Sequence, residues 1–129
     1  MSVEPIPDGV TEPGQNILDP DSIQQLKDLD ESGENTLLHE LCDAFLNDSD
    51  QHMALIRQSL VIMDIKSISY SAHTLCGGAS NFGAVRFTSL CQTVQQFNAE
   101  TTPERAAELI TALENEFKLL KTAMQELQS

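Results

Sequence analysis

The chain has 129 residues, 40% of them apolar, with 20 acidic against 7 basic side chains and a formal charge of −13. That length accommodates one domain with one core, and no apolar run approaches the roughly 18 residues that suggest a membrane span. The cations (Lys27, Arg57, Lys66, Arg86, Arg105, Lys118, Lys121) are scattered through an acidic background, which argues against nucleic-acid binding and against direct membrane insertion or docking on anionic lipid.

No basic start followed by an apolar stretch marks a secretory signal at the N-terminus. Three cysteines are too few, and odd in number, for a disulfide framework. Cys42 and Cys91 fall on apolar helical stripes, where a free thiol behaves as a small hydrophobe. A reducing, cytoplasmic setting is expected.

Residues 1–17 read as a disordered tail or linker, and residues 18–129 as the folded domain. The first sixteen hold three of the five prolines and two of the six glycines, with almost no large apolar side chains. Helix signals then follow in series. Asp19 is a natural N-cap with Pro20 at the first helical position, and Leu18 is placed to staple onto Ile23. Ile23, Leu26 and Leu29 make a short stripe. After Gly33 a long pattern runs from about 35 to 63 on Leu38, Leu41, Phe45, His52, Ile56, Leu60 and Met63. Residues 47–50 (Asn, Asp, Ser, Asp) weaken helix propensity, so a bend is allowed there.

Asp64 caps a third pattern, in which Ile65, Ile68, Ala72, Leu75, Ala79 and Phe82 step by three and four until Gly83 breaks it. Phe87, Leu90, Val94 and Phe97 carry a fourth. Thr102-Pro103 starts the last, seamed by Ala106, Ile110, Leu113, Phe117, Leu120, Met124 and Leu127. No strand alternation occurs. The expected fold is all-α, an antiparallel up-down four-helix bundle with a short extra N-terminal helix.

Chemistry concentrates in residues 71–84. With Ala72, Leu75 and Ala79 turned to the core, His73 sits about 100° round the helix. Its own face then carries Lys66, Ser69, Tyr70, Cys76, Gly77 and Ser80, a docking face of polar and small residues. Two adjacent glycines inside a helix cost roughly 1 kcal/mol each relative to alanine. Either Gly77 clears the surface beside the imidazole, or the helix ends there in a glycine cap. The apolar spacing that continues through Ala79 and Phe82 favours the first.

Ala72, His73, Leu75, Gly77, the small residues Gly78, Ala79 and Ser80, then Gly83 and Ala84 resemble the signature of histidine-containing phosphotransfer (HPt) domains. The helix order resembles that family too, from about Leu18 to Gln128. The resemblance implies that His73 accepts a phosphoryl group from the aspartate of a receiver domain and passes it to another receiver. It implies a carrier in a two-component phosphorelay, with no autonomous kinase activity and no cofactor bound by this domain. Mg²⁺ is expected in the partner receiver, which would belong to a response regulator or a hybrid sensor kinase. The domain is expected to act as a monomer, free-standing or within a membrane-anchored hybrid kinase.

In the family a lysine usually stands three residues after the histidine, where the resemblance implies that it neutralises phosphoryl charge. Here that residue is Cys76, and a protonated thiol cannot replace it. Lys66 shares the face but lies about 10 Å away along the axis, which suits docking. Some family members use a glutamine on the next helix to hold the imidazole. Gln95 lies twelve residues after Gly83 and His73 ten before it, so an antiparallel hairpin sets them at similar height. An ordinary solvated glutamine is the plain alternative.

His52, on the long helix's stripe, reads as a satisfied, partly buried residue, and His39 has no partner at obvious spacing. His73 and Cys76 alone do not make a metal site, and a redox role for Cys76 needs an exposed, acidic thiol. The principal alternative is an HPt-like adaptor that binds a receiver or kinase without carrying phosphate.

Overall fold

The computed structural model describes residues 17–31 and 33–128, and among these every regular element is helical. The expected tail lies outside the described residues except for Ile17. That side chain is half-buried against the core. Five helices follow: α1 (Pro20–Asp28), α2 (Thr36–Val61), α3 (Ile65–Ser80), α4 (Val85–Gln95) and α5 (Pro103–Gln128).

The helix starts are set by local chemistry. Asp19 caps α1, accepting from the Asp21 N–H at 3.2 Å, with Pro20 directly behind it. Asp64 caps α3, accepting from the Ser67 N–H at 3.3 Å and the Ser67 hydroxyl at 2.7 Å. Thr102 Oγ1 accepts the Arg105 N–H ahead of α5. Each bond from a backbone N–H satisfies a donor that the first helical turn leaves open. The start of α2 differs, because Asn35 has φ +60° and makes no side-chain cap. Asp30, seven residues upstream, accepts the Leu37 N–H instead, at 2.9 Å.

Helix directions follow from which side chains meet. Along α2 and α5, Arg57 pairs with Glu114, Asp50 with Lys121 and Asp43 with Gln128. The numbers fall on one helix as they rise on the other, so the two run antiparallel. Phe45 lies against Gly78, and His52 against Ser71, which makes α2 and α3 antiparallel as well. The tight α3–α4 turn reverses the chain again. Contacts run α2–α3–α4–α5 and back to α2, with α1 leaning on α2. The result is a four-helix ring around one core with an added helix.

That core contains stacked phenylalanines. Phe45 meets Phe82 and Phe87 edge-on, at 5.8 and 6.5 Å between centroids, and Phe87 meets Phe117 at 5.8 Å. The buried face of α2 is turned slightly from the expected stripe. Leu38, Phe45 and Ile56 are buried, but so are Cys42, Ser49, Met53 and Ser59, whereas Leu41, His52 and Leu60 are half-buried. Leu29 falls just past α1 and is exposed. Helix α2 is continuous through residues 47–50. No helix among the described residues is long and apolar enough to cross a membrane.

Gly83 holds the α3–α4 turn in place. Its φ is +63°, and a Cβ there would come within 2.4 Å of Asp19 Cβ and 2.6 Å of Ser22 Oγ. The Asp19 N–H donates to the Gly83 carbonyl at 3.1 Å. Only glycine satisfies both the backbone conformation and this close approach.

Candidate functional site

Helix α3 buries Ser71, Ala72, Leu75 and Ala79, so His73, one position beyond Ala72, emerges on the surface. Gln95 closes α4 on the other arm of the hairpin, and its Nε2 stands 3.0 Å from His73 Nδ1. Two arrangements satisfy this contact. If the amide N–H donates to Nδ1, the imidazole proton resides on Nε2, which then lacks a free lone pair. If the amide is turned over so that Oε1 accepts from Nδ1–H, Nε2 carries the lone pair. Only the second makes the ring nitrogen remote from Gln95 a nucleophile.

The two glycines do different work. Helix α3 continues past both, to Ser80 with Asn81 as its cap, so the helix does not end at Gly77. Gly77 is exposed, and a Cβ on it would meet nothing within 4 Å. The surface one turn from His73 is therefore open. Gly78 faces α2, where a Cβ would lie 2.9 Å from Phe45 Cδ1. Sequence reasoning singled out Gly77 as the glycine beside the imidazole and gave Gly78, which admits the neighbouring helix, no role of its own.

Cys76 is half-buried and packs against the core. Lys66, Tyr70 and Ser80 are exposed and Ser69 is half-buried, but they do not form one surface hollow. Lys66 and Tyr70 line a shallow depression of about 260 Å³ with Leu55 and Ser59 of α2. Ser80 lines another, of about 290 Å³, with Thr88, Ser89 and Gln92 of α4. His73 lies between them along α3.

Sequence reasoning missed three features. A cleft of about 330 Å³ opens between α2 and α3, lined by Leu41, Phe45, His52, Thr74 and Gly78. His52, half-buried as its place on the α2 stripe led one to expect, borders this cleft with Nδ1 3.5 Å from Ser71 Oγ. Exposed apolar side chains gather towards the α2–α3 turn: Leu55, Val61, Ile62 and Tyr70. Finally, four of the seven cations are paired with carboxylates, Arg57 with Glu114, Arg86 with Glu116, Arg105 with Glu108 and Lys121 with Asp50. Among the described residues no three His, Cys, Asp or Glu side chains are grouped to hold a metal ion.

Comparison with known proteins agrees with the helical bundle. The sequence model of the Hpt domain matches residues 40–129, and the chain belongs to that family, the helical bundles that carry phosphoryl groups on histidine in phosphorelays and exchange them with receiver domains. Among solved structures it is similar to histidine-containing phosphotransfer protein B (HptB) from Pseudomonas aeruginosa PAO1, with a TM-score of 0.74 and 25% sequence identity over 85% of this chain and 92% of that one. No curated protein sequence matches significantly.

Proposed function

We propose that this domain accepts a phosphoryl group on Nε2 of His73 from the aspartyl phosphate of one receiver and delivers it to an aspartate of another. The observation that carries this reading is the exposed imidazole whose Nδ1 is engaged by Gln95 on the adjoining helix. With Oε1 turned to accept from Nδ1–H, the Nε2 lone pair attacks phosphorus. The N–P bond forms as the bond to the aspartate oxygen breaks. Positive charge develops on the ring during attack, and Oε1 stabilises it through the Nδ1–H bond. The open surface at Gly77 admits the partner's phosphorylated loop. Mg²⁺ in the receiver would hold the phosphoryl oxygens, and this chain would act as a cytoplasmic, monomeric carrier, free-standing or within a hybrid kinase.

The deciding experiment is transfer from a phosphorylated receiver, with Mg²⁺, to the wild type and to His73→Gln. Acid-labile, base-stable label on the wild type alone supports the carrier. Absence of label on both, across several receivers, refutes it. An HPt-like adaptor is the alternative favoured by one observation. Cys76 provides no cation beside His73, and Lys66 is about 10 Å away along the helix axis. In that case His73→Gln would leave partner signalling unchanged.

A further inference from the structure

Two of the three thiols lie in the seam between the helices that carry His73 and Gln95, and the phosphotransfer chemistry uses neither as a nucleophile. The register of that seam is set by the 3.0 Å contact between His73 Nδ1 and Gln95 Nε2. Moving one turn towards the Gly83 turn, α3 presents Cys76 and α4 presents Cys91. The offsets are three and four residues, about 4.5 and 6 Å along the two axes, and both keep the same face of the helix. In an antiparallel pair, Cys76 and Cys91 therefore oppose each other one turn beyond the histidine.

Burial agrees with this placement. Cys91 is fully buried, and Cys76 is half-buried against the same core cluster. Cys76 is close enough to Cys91 to act on its thiol. Burial first, and then neighbouring Cys76, push the Cys91 thiol well above its usual value. Cys42 stands apart on α2, where burial and then Asp43 push it up to about 11. Helix α3 packs more extensively on α4 than on any other helix, and a disulfide requires Cα atoms within about 7 Å of each other.

We infer that Cys76 and Cys91 are a thiol pair which a peroxide closes into a disulfide, and that closure slows phosphoryl exchange at His73. Cys76, half-buried where Cys91 is fully buried, meets the peroxide first, and its sulfur, as the thiolate, attacks the O–O bond of hydrogen peroxide. An S–O bond forms, the O–O bond breaks and hydroxide leaves, so Cys76 becomes a sulfenic acid. The Cys91 sulfur then attacks that sulfur. The S–S bond forms, the S–O bond breaks, and the departing hydroxyl takes the Cys91 proton as water. Two thiols are oxidised and one peroxide is reduced. Cys91 is fully buried and shielded from peroxide, which leaves it the resolving step. The closed disulfide draws α3 towards α4 one turn from the imidazole and shifts His73 against Gln95. A misplacement of 1 Å can cost a reaction about 100-fold, and a smaller shift is expected to slow transfer about tenfold.

The regulatory half of this inference rests on the proposed function, whereas the thiol pair does not. The test is peroxide treatment of the reduced full chain, followed by intact-mass measurement and non-reducing tryptic mapping. Cleavage after Lys66, Arg86 and Arg105 separates Cys76, in residues 67–86, from Cys91, in residues 87–105. The expected result is a monomer lighter by about two mass units, the loss of two hydrogens, with those two peptides joined and then released by dithiothreitol. Oxygen adducts on Cys76 without a cross-link, a bridge to Cys42, a linked dimer or no reaction would each overturn the pair. Cys91→Ala should transfer phosphate at the basal rate and lose its response to peroxide. A cross-link with unchanged transfer would overturn the regulatory half. A cross-link in a protein that accepts no phosphate even when reduced would refute the carrier and leave the pair standing.

Discussion

Replacing Gly77 and Gly78 by alanine, one at a time, should move stability in opposite directions. Both substitutions lie within α3, so both gain roughly 0.5–1 kcal/mol from the lower backbone entropy of alanine. At Gly77 nothing opposes that gain, because a Cβ meets no atom within 4 Å. At Gly78 the Cβ falls 2.9 Å from Phe45 Cδ1 and 3.2 Å from Cε1, about 0.6 Å inside the 3.5 Å at which carbon contacts become favourable. The Phe45 ring is only 8% exposed and is held edge-on by Phe82 and Phe87, so it cannot swing aside without disturbing both. Overpacking of this kind costs about 1–3 kcal/mol. The helical gain cancels between the two variants and leaves that cost as their difference. For a domain near 100 residues, each kcal/mol is worth about 4–8 °C in midpoint. Thermal and urea unfolding followed by circular dichroism would measure it. Equal midpoints, or a more stable Gly78→Ala, would refute the reasoning and show that Phe45 yields freely.

Gln95→Ala should keep the fold and slow phosphoryl acceptance about 2- to 12-fold, the equivalent of one hydrogen bond of 0.5–1.5 kcal/mol; a stopped-time transfer assay with unchanged thermal unfolding would show it. Cys76→Lys places a cation one turn from His73 and should speed acceptance or lengthen the phosphohistidine lifetime, with no change in either refuting the charge argument. Glu116 is 6% exposed and faces Arg86, with Nε–Oε1 at 2.9 Å; Glu116→Gln removes the charge of this carboxylate from the ion pair and should cost about 1–3 kcal/mol in urea unfolding. The hydrogen bond from the Ser67 side chain, and then that from its backbone, hold the Asp64 carboxyl below the usual carboxylate value. Its stabilisation is therefore complete above the ordinary carboxylate pKa and is lost as pH falls through the lowered folded value. Ser67→Ala should accordingly show its stability deficit at neutral pH and lose much of it in acid, as read from unfolding midpoints across pH.

The bundle was legible because its signals are local. Caps at Asp19, Asp64 and Thr102 act within three residues, and the apolar spacing of α3 and α5 follows directly from 3.6 residues per turn. The buried face of α2 was less legible. That helix touches α1 as well as α3 and α5, which widens its buried arc, and small serines can enter it. Ser49 does so by returning its hydroxyl to the Leu46 carbonyl at 3.3 Å. Distant partners left no periodic trace: Asp30 reaches the start of α2 from outside the helix, and Arg86 finds Glu116 thirty residues on. Within the site, counting from Gly83 sets His73 and Gln95 at one height because a hairpin fixes its own register. The imidazole tautomer depends on which end of an amide faces the ring, and the residue type does not encode that. The α2–α3 cleft depends on the spacing between two helices, which Gly78 and Phe45 set together.

The contact between Asp19 and Gly83 decides how a pull on the N-terminal side is felt. A force applied ahead of Asp19 enters the bundle through its N–H bond to the Gly83 carbonyl and through the tight seating of Asp19 and Ser22 on that glycine. Part of the load therefore passes to the bend joining α3 and α4, the two arms that hold His73 and Gln95. The start of the domain is thus tied directly to its histidine hairpin.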